Sequence, residues 1–511
     1  MSKVSKNSTE QLRKNEMENG INADASQIIQ PAQQLENFKI HEKRKKEILD
    51  DCKHTIAVLE AIFEVALLAL VFYFIWAAFY RDVFSPSYLG RGKYILIGVY
   101  VAIVTVIMRL CDGFAYGKLK FIDVSVSQLI SLLIADVIIY FQLCLVSNRM
   151  ISPFPMILCL VVEILLAFIC CFLYTKLYHS FYVPHNILMI YGNETALDMK
   201  FKLDERRDKY AVREIISADD DMATIKAAIS RHDAVLLNDV KDEKRNTVLK
   251  YCHLVGIRTY VVPKISDIIM EGSWNVNLFD TPLKLVSPPH LSLPQRFAKR
   301  TLDIILCLIA MIPGAPIMLI IALAIKIEDG GPIFYRQKRV TKGGRVFEIL
   351  KFRSMVVDAE RGGYNMTMRA NGHDPRITKV GSVIRALRID ELPQILNILK
   401  GDMSIVGPRP ERVENVEEYA KMMPEWHLRE AVKGGLTGYA QVFGRYNTSP
   451  LDKAKMDLMY IENYSFFLDI KLIFLTVRIL FSKEATEGFD VAENREKARE
   501  QLVKELEAKD E

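Results

Sequence analysis

The sequence predicts a chain in three parts: an α-helical membrane bundle of four spans, a small α/β unit with a parallel sheet, and a C-terminal α/β domain carrying a re-entrant membrane helix. Three observations predict it. Four apolar stretches of about bilayer length stand near residues 55–79, 94–111, 127–146 and 153–175. From about residue 186 to 270, short β-rich runs alternate with amphipathic helical ones. Beyond a proline-rich linker, an apolar run at 302–325 is interrupted by Pro313-Gly314-Ala315-Pro316 and flanked by basic residues on both sides.

The 511 residues are 50% hydrophobic, and the mean hydropathy of +0.12 is high for a chain wholly in water. The excess of 67 basic over 62 acidic residues is too small for a polyanion-binding surface across the whole molecule, so no nucleic-acid partner is expected. Cys144, Cys159, Cys170, Cys171 and Cys307 lie inside apolar runs, and no Cys/His spacing suits zinc. Neither a disulfide framework nor a structural zinc site is therefore expected. Residues 1–40 are polar without an apolar core, which reads as a disordered tail rather than a signal peptide.

Residues 41–180 read as the membrane bundle. Lys39, Lys43, Arg44, Lys45, Lys46 and Lys53 precede the first span, whereas the outer loops hold only Arg81, Arg91, Lys93 and Arg149. This asymmetry predicts a cytoplasmic N-terminus, and an even number of spans returns the chain there. Glu60, Glu64, Asp136 and Glu163 fall in or near the spans, where charge is costly enough to mark a functional candidate. Pairing with polar groups inside the bundle is the simpler reading, because no ladder of Lys or Arg marks an ion path.

Residues 181–280 form a Rossmann-like α/β domain by pattern. Its strands fall at 186–191, 212–217, 234–238 and 257–262, with helices near 195–207, 221–231, 241–254 and 264–271. The first turn, Tyr191-Gly192-Asn193-Glu194-Thr195, lacks the repeated glycines that let a backbone approach a pyrophosphate. Dinucleotide binding and a structural or partner-docking role both stay open. A linker over 281–297, with Pro282, Pro288, Pro289 and Pro294, marks the next boundary.

The run at 301–327 decides topology. Lys299 and Arg300 precede it, Lys326, Arg336, Lys338 and Arg339 follow it, and Asp303 lies near its start. Pro313 and Pro316 remove backbone donors at its middle, which predicts a helix–break–helix that turns within the membrane and leaves both ends on the cytoplasmic side. The alternative is an ordinary kinked span.

Residues 328–450 hold the paired charges that look chemical. Strand-like segments at 333–336 and 346–351 lead into Lys351-Phe352-Arg353-Ser354-Met355. Asp374-Pro375-Arg376-Ile377-Thr378, Arg388-Ile389-Asp390-Glu391-Leu392-Pro393-Gln394, Gly401-Asp402-Met403-Ser404 and Gly407-Pro408-Arg409-Pro410 follow. Pro393 before the periodic run Ile395-Leu396-Ile398-Leu399 predicts a helix start, with Asp390 near its N-cap and a phosphate-binding N-terminus. A cap alone would explain Asp390. Lys351, Arg353, Arg376, Arg385, Arg388 and Arg409 shift the balance, because several fixed guanidinium groups around one acidic pair suit a diphosphate. A carboxylate can attack phosphorus, and its neighbour can hold Mg²⁺ together with substrate phosphates.

Together, Lys351–Met355, Arg388–Gln394, Gly401–Ser404 with Val406–Pro410, and Val432-Lys433-Gly434-Gly435-Leu436-Thr437-Gly438 with Ala440-Gln441-Val442 closely resemble the bacterial sugar transferase family over about residues 294–484. These are monotopic polyprenyl-phosphate phosphoglycosyl transferases. The resemblance is to the long-form members that initiate capsule, exopolysaccharide or O-antigen synthesis. It implies a monotopic catalytic domain at 298–484 and a charged helical tail at 485–511. It implies that Asp390 attacks the β-phosphorus of a nucleoside diphosphate sugar and releases the nucleoside monophosphate, and that undecaprenyl phosphate then takes the phosphosugar from Asp390. By the same resemblance Glu391 binds Mg²⁺ with Asp402 as a further ligand, while Lys351, Arg353, Arg376, Arg388, Arg409 and Gln441 contact substrate. A homodimer and polysaccharide-assembly or regulatory proteins are the implied partners, and the bacterial cell membrane is the implied location. The break at Pro313 and Pro316 departs from the family's usual Ser-Pro pair.

Leu458–Phe481 mixes aromatic residues with Asp469, Lys471 and Arg478, which fits interfacial helices, with a buried core helix open for its second half. His373 and His427 carry no metal-ligand spacing. Two other functions compete: a membrane scaffold for polysaccharide assembly without catalysis, and a flippase built on the intramembrane acids. The intact acidic pair argues against the first and the absence of repeated or broken spans against the second.

Overall fold

The computed structural model describes residues 55–83, 91–181, 184–357, 376–445 and 448–480. The expected tails at 1–40 and 485–511, the basic run before the first span, His373 and Asp374 lie outside the described residues. The chain divides into two compact units. The first holds most of the four N-terminal helices; the second holds nearly everything from Lys176 onward.

In the first unit, α1 (Thr55–Phe79), α2 (Lys93–Leu110), α3 (Phe121–Ser147) and α4 (Phe154–Phe181) are long and apolar enough to cross a bilayer. Their outer faces expose Phe63, Phe74, Ile95, Leu133 and Phe168, whereas Phe72 and Tyr100 stack at 4.2 Å between α1 and α2. The acids point inward. Tyr100 donates to Glu163 at 2.7 Å, Tyr116 donates to Glu64, and Cys159 donates to Glu163 at 3.1 Å. Glu64, Asp136 and Glu163 are all buried; Glu64 and Glu163 find the polar partners expected of them, whereas both carboxyl oxygens of Asp136 are buried without a hydrogen bond.

The second unit opens with four parallel strands in the order β2-β1-β3-β4: β1 (His185–Tyr191), β2 (Tyr210–Ser217), β3 (Ala234–Asn238) and β4 (Arg258–Val261). Between and after them come α5 (Asp198–Asp204), α6 (Met222–Ile229), α7 (Asp242–Leu254) and α8 (Ile265–Glu271). The burial of Leu188, Ile190, Val235 and Leu237 on one face and Ile187, Met189 and Leu236 on the other explains why these strands are nearly continuous apolar runs. Gly192 is required by crowding: a Cβ there would lie 1.9 Å from the Asp239 carbonyl oxygen. An exposed hairpin follows, β5 (Trp274–Leu278) and β6 (Thr281–Leu285); β5 falls at the end of the expected α/β domain and β6 at the start of the expected linker.

One helix, α9 (Leu293–Asp329), then runs for 37 residues. Ser292 caps it in a reciprocal box with Gln295. It continues through Pro313 and Pro316, where two separate limbs are expected. The two prolines withhold the donors that would meet the carbonyls of Ile309 and Ile312, which makes this the place where the helix bends most easily. Among the described residues α9 is the fifth helix long and apolar enough to span.

Unlike the first four, α9 packs along its length on one α/β domain. Cys307 joins Phe347, Ile349, Ile395 and Ile398, and Ile321 and Ile325 join Phe352 and Ile384. Both ends are tied to that same domain. Lys299 pairs with Asp469 at 2.7 Å near the start, and Asp329 takes a two-pronged contact from Arg353 at the end. The domain comprises the antiparallel pair β7 (Phe334–Val340) and β8 (Val346–Phe352), then α10 (Lys379–Ala386), α11 (Gln394–Lys400), β9 (Ser404–Val406), α12 (Val413–Met422), β10 (Gly435–Thr437), α13 (Tyr439–Phe443), α14 (Pro450–Glu462) and α15 (Phe466–Leu480). β9 and β10 pair in parallel. Leu472 and Leu475 of α15 are fully buried against Val406, Val432 and Leu458, so this helix belongs to the core rather than to an interface.

Candidate active site

Asp390 and Glu391 stand in a 3-10 turn, Ile389–Glu391, between α10 and α11. Arg388 enters the turn in the left-handed conformation, φ 54°. The turn is seated on the long helix: Ile389 and Leu392 pack with Ile321, Ile325 and Phe352, and Leu392 lies against Gly314. The acidic pair therefore sits beside the middle of an apolar helix. Asp390 is not the expected cap. Pro393 occupies that position, and α11 is only seven residues long, so the N-terminal phosphate site expected there is not formed.

Glu391 is held by two cations. Lys351 Nζ, on β8, lies 2.6 Å from Glu391 Oε1, and an Arg409 terminal nitrogen lies 3.3 Å from the same oxygen. Burial works against the Glu391 charge, but Arg409 and Lys351 outweigh it and bring the carboxyl down to about 2. Asp390 moves the other way: burial raises its pKa, Lys351 opposes that, and the Glu391 charge adds to it. Burial likewise pushes the Lys351 ammonium down, against the pull of Glu391. The two neighbouring carboxyls thus differ in ease of ionisation, and among the described residues the ion pairs of this turn fall on Glu391.

Arg409 is placed by a network that the sequence reading missed. Arg429 is buried, donates to the Arg409 carbonyl at 3.1 Å, and donates twice to Asp457 Oδ2, at 2.6 and 3.0 Å. The Trp426 ring lies 4.2 Å from the Arg429 guanidinium. A signal for Asp457 was available: with Ala454, Leu458 and Ile461 it falls on the apolar stripe of α14, where a carboxylate needs a buried partner.

The other expected residues divide. Gln441, on α13, has neither side-chain oxygen nor nitrogen bonded, and its oxygen crowds Gly438, next to the Gly407–Arg409 turn. Arg388 is exposed beside the acidic turn. Arg376 sits where the chain returns from residues 358–375, its carbonyl accepting from Val356 N–H. Arg353 is a correction. It is buried, bonded to Asp329 and to the Pro332 carbonyl at 2.7 Å, so it staples α9 to β8 instead of facing a phosphate. Asp402 is a second correction. It lies at the far end of α11 from Glu391, about 10 Å of helix away, and pairs with Arg345 and Lys400. No group of three or more His, Cys, Asp or Glu able to hold a metal occurs among the described residues. The Asp390–Glu391 pair fits only a cation that takes most of its ligands from substrate phosphate and water, as Mg²⁺ does.

Comparison with known proteins follows this geometry. A family model described as bacterial sugar transferase matches residues 294–483. The chain is 38% identical over 259 residues to a UDP-N-acetylgalactosamine-undecaprenyl-phosphate N-acetylgalactosaminephosphotransferase of Aeromonas hydrophila, covering 49% of this chain and 60% of that protein. It is 41% identical over 214 residues to the UDP-glucose:undecaprenyl-phosphate glucose-1-phosphate transferase of Escherichia coli (strain K12), covering 41% and 44%. It is 38% identical over 192 residues to an exopolysaccharide production protein of Sinorhizobium fredii, covering 35% of this chain and 84% of that one. The matched stretch thus spans about half the length of the first two relatives and most of the third.

Proposed function

The chain belongs to the bacterial sugar transferase family, and from that premise we propose that it transfers a sugar-1-phosphate from a UDP-sugar to undecaprenyl phosphate. The observation that carries this reading is the seating of Asp390-Glu391, with Lys351 and Arg409, directly on α9. A soluble nucleotide and a lipid phosphate can meet one carboxylate only at a membrane surface.

The reaction runs in two displacements. A carboxylate oxygen of Asp390 attacks the β-phosphorus, and the bond from that phosphorus to the bridging oxygen breaks, releasing UMP. Undecaprenyl phosphate then attacks the same phosphorus, the Asp390–phosphorus bond breaks, and the free carboxylate returns. Lys351 and Arg409 fix Glu391 and present positive charge to the diphosphate. Mg²⁺ bound at Glu391 and the substrate phosphates would screen the charge of the leaving group. Arg388, beside the acidic turn, and Gln441, near the Gly407–Arg409 turn, contribute substrate contacts.

The topology follows from the same helix. Because both ends of α9 are tied to one polar domain, a crossing would drag part of that domain into hydrocarbon. We read α9 as re-entrant, α1–α4 as four spans, and the catalytic domain as cytoplasmic, in keeping with the basic residues before the first span. Incubating the full chain with a UDP-sugar and Mg²⁺ but no lipid acceptor tests the chemistry. Intact-protein mass should rise by one phosphosugar, with about one equivalent of UMP released. An Asp390→Asn variant that still forms the adduct would remove Asp390 from the nucleophile role.

A further inference from the structure

The opposite end of α11 from the acidic turn carries a second charged cluster. Gly401 closes the helix with φ 94° and leaves a gap where a side chain would stand. The Lys433 ammonium lies 3.5 Å from that point and an Arg300 nitrogen 3.6 Å. Arg300 is held in place by the carbonyls of Ile398 and Leu399, at 2.6 and 2.7 Å. Arg345 and Lys400 flank Asp402 at 3.2 and 3.1 Å. The other nearby carboxylate, Asp303, already accepts from Ser404 Oγ and Ile405 N–H, each at 3.0 Å. Positive charge is therefore in excess. Burial, then the field of Arg300, pushes the Lys433 ammonium below its usual range; Asp303 opposes this, and Arg345 and Lys342 add to it.

The depth of the cluster says what it meets. Arg300 precedes Ile305 by five residues, or about 7.5 Å along the helix. Ile305 belongs to the exposed apolar face that continues through Leu308, Ile309 and Ile312, and Leu293 and Phe297 are exposed on the other side of Arg300. If that face lies in hydrocarbon, as the reading of α9 above requires, the cations stand at headgroup level.

We propose that Gly401, Lys433, Arg300 and Arg345 form a binding site for a phosphate group, and that an anionic phospholipid headgroup supplies it. The inference rests on α9 being membrane-embedded and goes beyond the transfer chemistry. A headgroup bound there holds one end of α11 at the surface while the other end adjoins Asp390 and Glu391.

The test uses the full chain in an uncharged detergent, titrated with short-chain phosphatidylglycerol, short-chain phosphatidylcholine or inorganic phosphate, with the thermal unfolding midpoint as readout. Phosphatidylglycerol should raise the midpoint saturably, and phosphatidylcholine should not. Lys433→Glu and Arg345→Glu should each weaken that response about fivefold or more, with Lys433→Gln moving the same way should the Glu variant fold poorly. Asp390→Asn should respond as wild type, which separates failure of this site from failure of the catalytic reading. Unchanged phosphatidylglycerol affinity in both Lys433 variants would overturn the site. An equal response to phosphatidylcholine would overturn its anion selectivity, and saturation by inorganic phosphate at the same concentration would overturn the lipid source.

Discussion

Arg429 grips the main chain of Arg409: its guanidinium donates to the Arg409 carbonyl while the same group is neutralised by the buried Asp457. The arginine that meets Glu391 is thus aimed through a second arginine that touches nothing in the acidic turn. Asp457→Ala would leave Arg429 buried without its counter-charge and cost about 3–5 kcal/mol. A double variant, Arg429→Met with Asp457→Leu, should recover most of the unfolding midpoint but keep a raised KM for the UDP-sugar, because no donor then holds Arg409. A double variant with wild-type KM would show that the Arg409 turn needs no such support.

Two pH windows should separate. Glu391 has a folded-state pKa of about 2 against an ordinary 4.5, so its ion pairs stabilise the fold above the ordinary value and that contribution, about 3 kcal/mol, fades as pH falls toward 2. Asp390 is shifted upward by burial, so its nucleophilic carboxylate is lost earlier, above the usual aspartate range. Turnover should therefore fall on the acid side while the protein is still folded. Parallel kcat/KM and circular-dichroism profiles check this; coincident acid limbs would count against it.

Arg353→Lys should behave as a stability variant. It removes the two-pronged contact to Asp329 at the end of α9 and should lower stability by about 1–3 kcal/mol. KM for the UDP-sugar should stay within about twofold of wild type. A tenfold rise in KM with an unchanged midpoint would return Arg353 to the substrate.

Lys342→Cys reports topology with little background, since the described native cysteines are all buried. An impermeant thiol reagent added to intact cells should leave it unlabelled and should label it after lysis. Labelling from outside would turn α9 into a full crossing.

Much of this was readable from residue order alone. The strands of the small α/β unit are nearly pure apolar runs because both sheet faces are covered, and the four long apolar N-terminal helices follow from length and hydropathy. Asp390 and Glu391 stood out because they sit in a turn bounded by Arg388 and Pro393. What misled was charge type without partners. Arg353 looks like Arg409 in one dimension, and only folding shows that Asp329 claims the first and Glu391 the second. Asp402 sits in a glycine-bounded turn but is taken by Arg345 and Lys400. Asp457 on the apolar stripe of α14 signals a buried partner, but only the fold names Arg429 as that partner, across a helix and a turn 28 residues apart in sequence.

The ties at the two ends of α9 also constrain biosynthesis. Asp469 and Arg353, which clamp Lys299 and Asp329, are both made after the helix itself. At roughly 5–20 residues per second, the apolar helix waits on the order of ten seconds for the last of its anchors. On the re-entrant reading proposed above, nothing in the finished domain holds it from crossing during that interval, and the basic residues at its two ends are what retains it until the fold arrives.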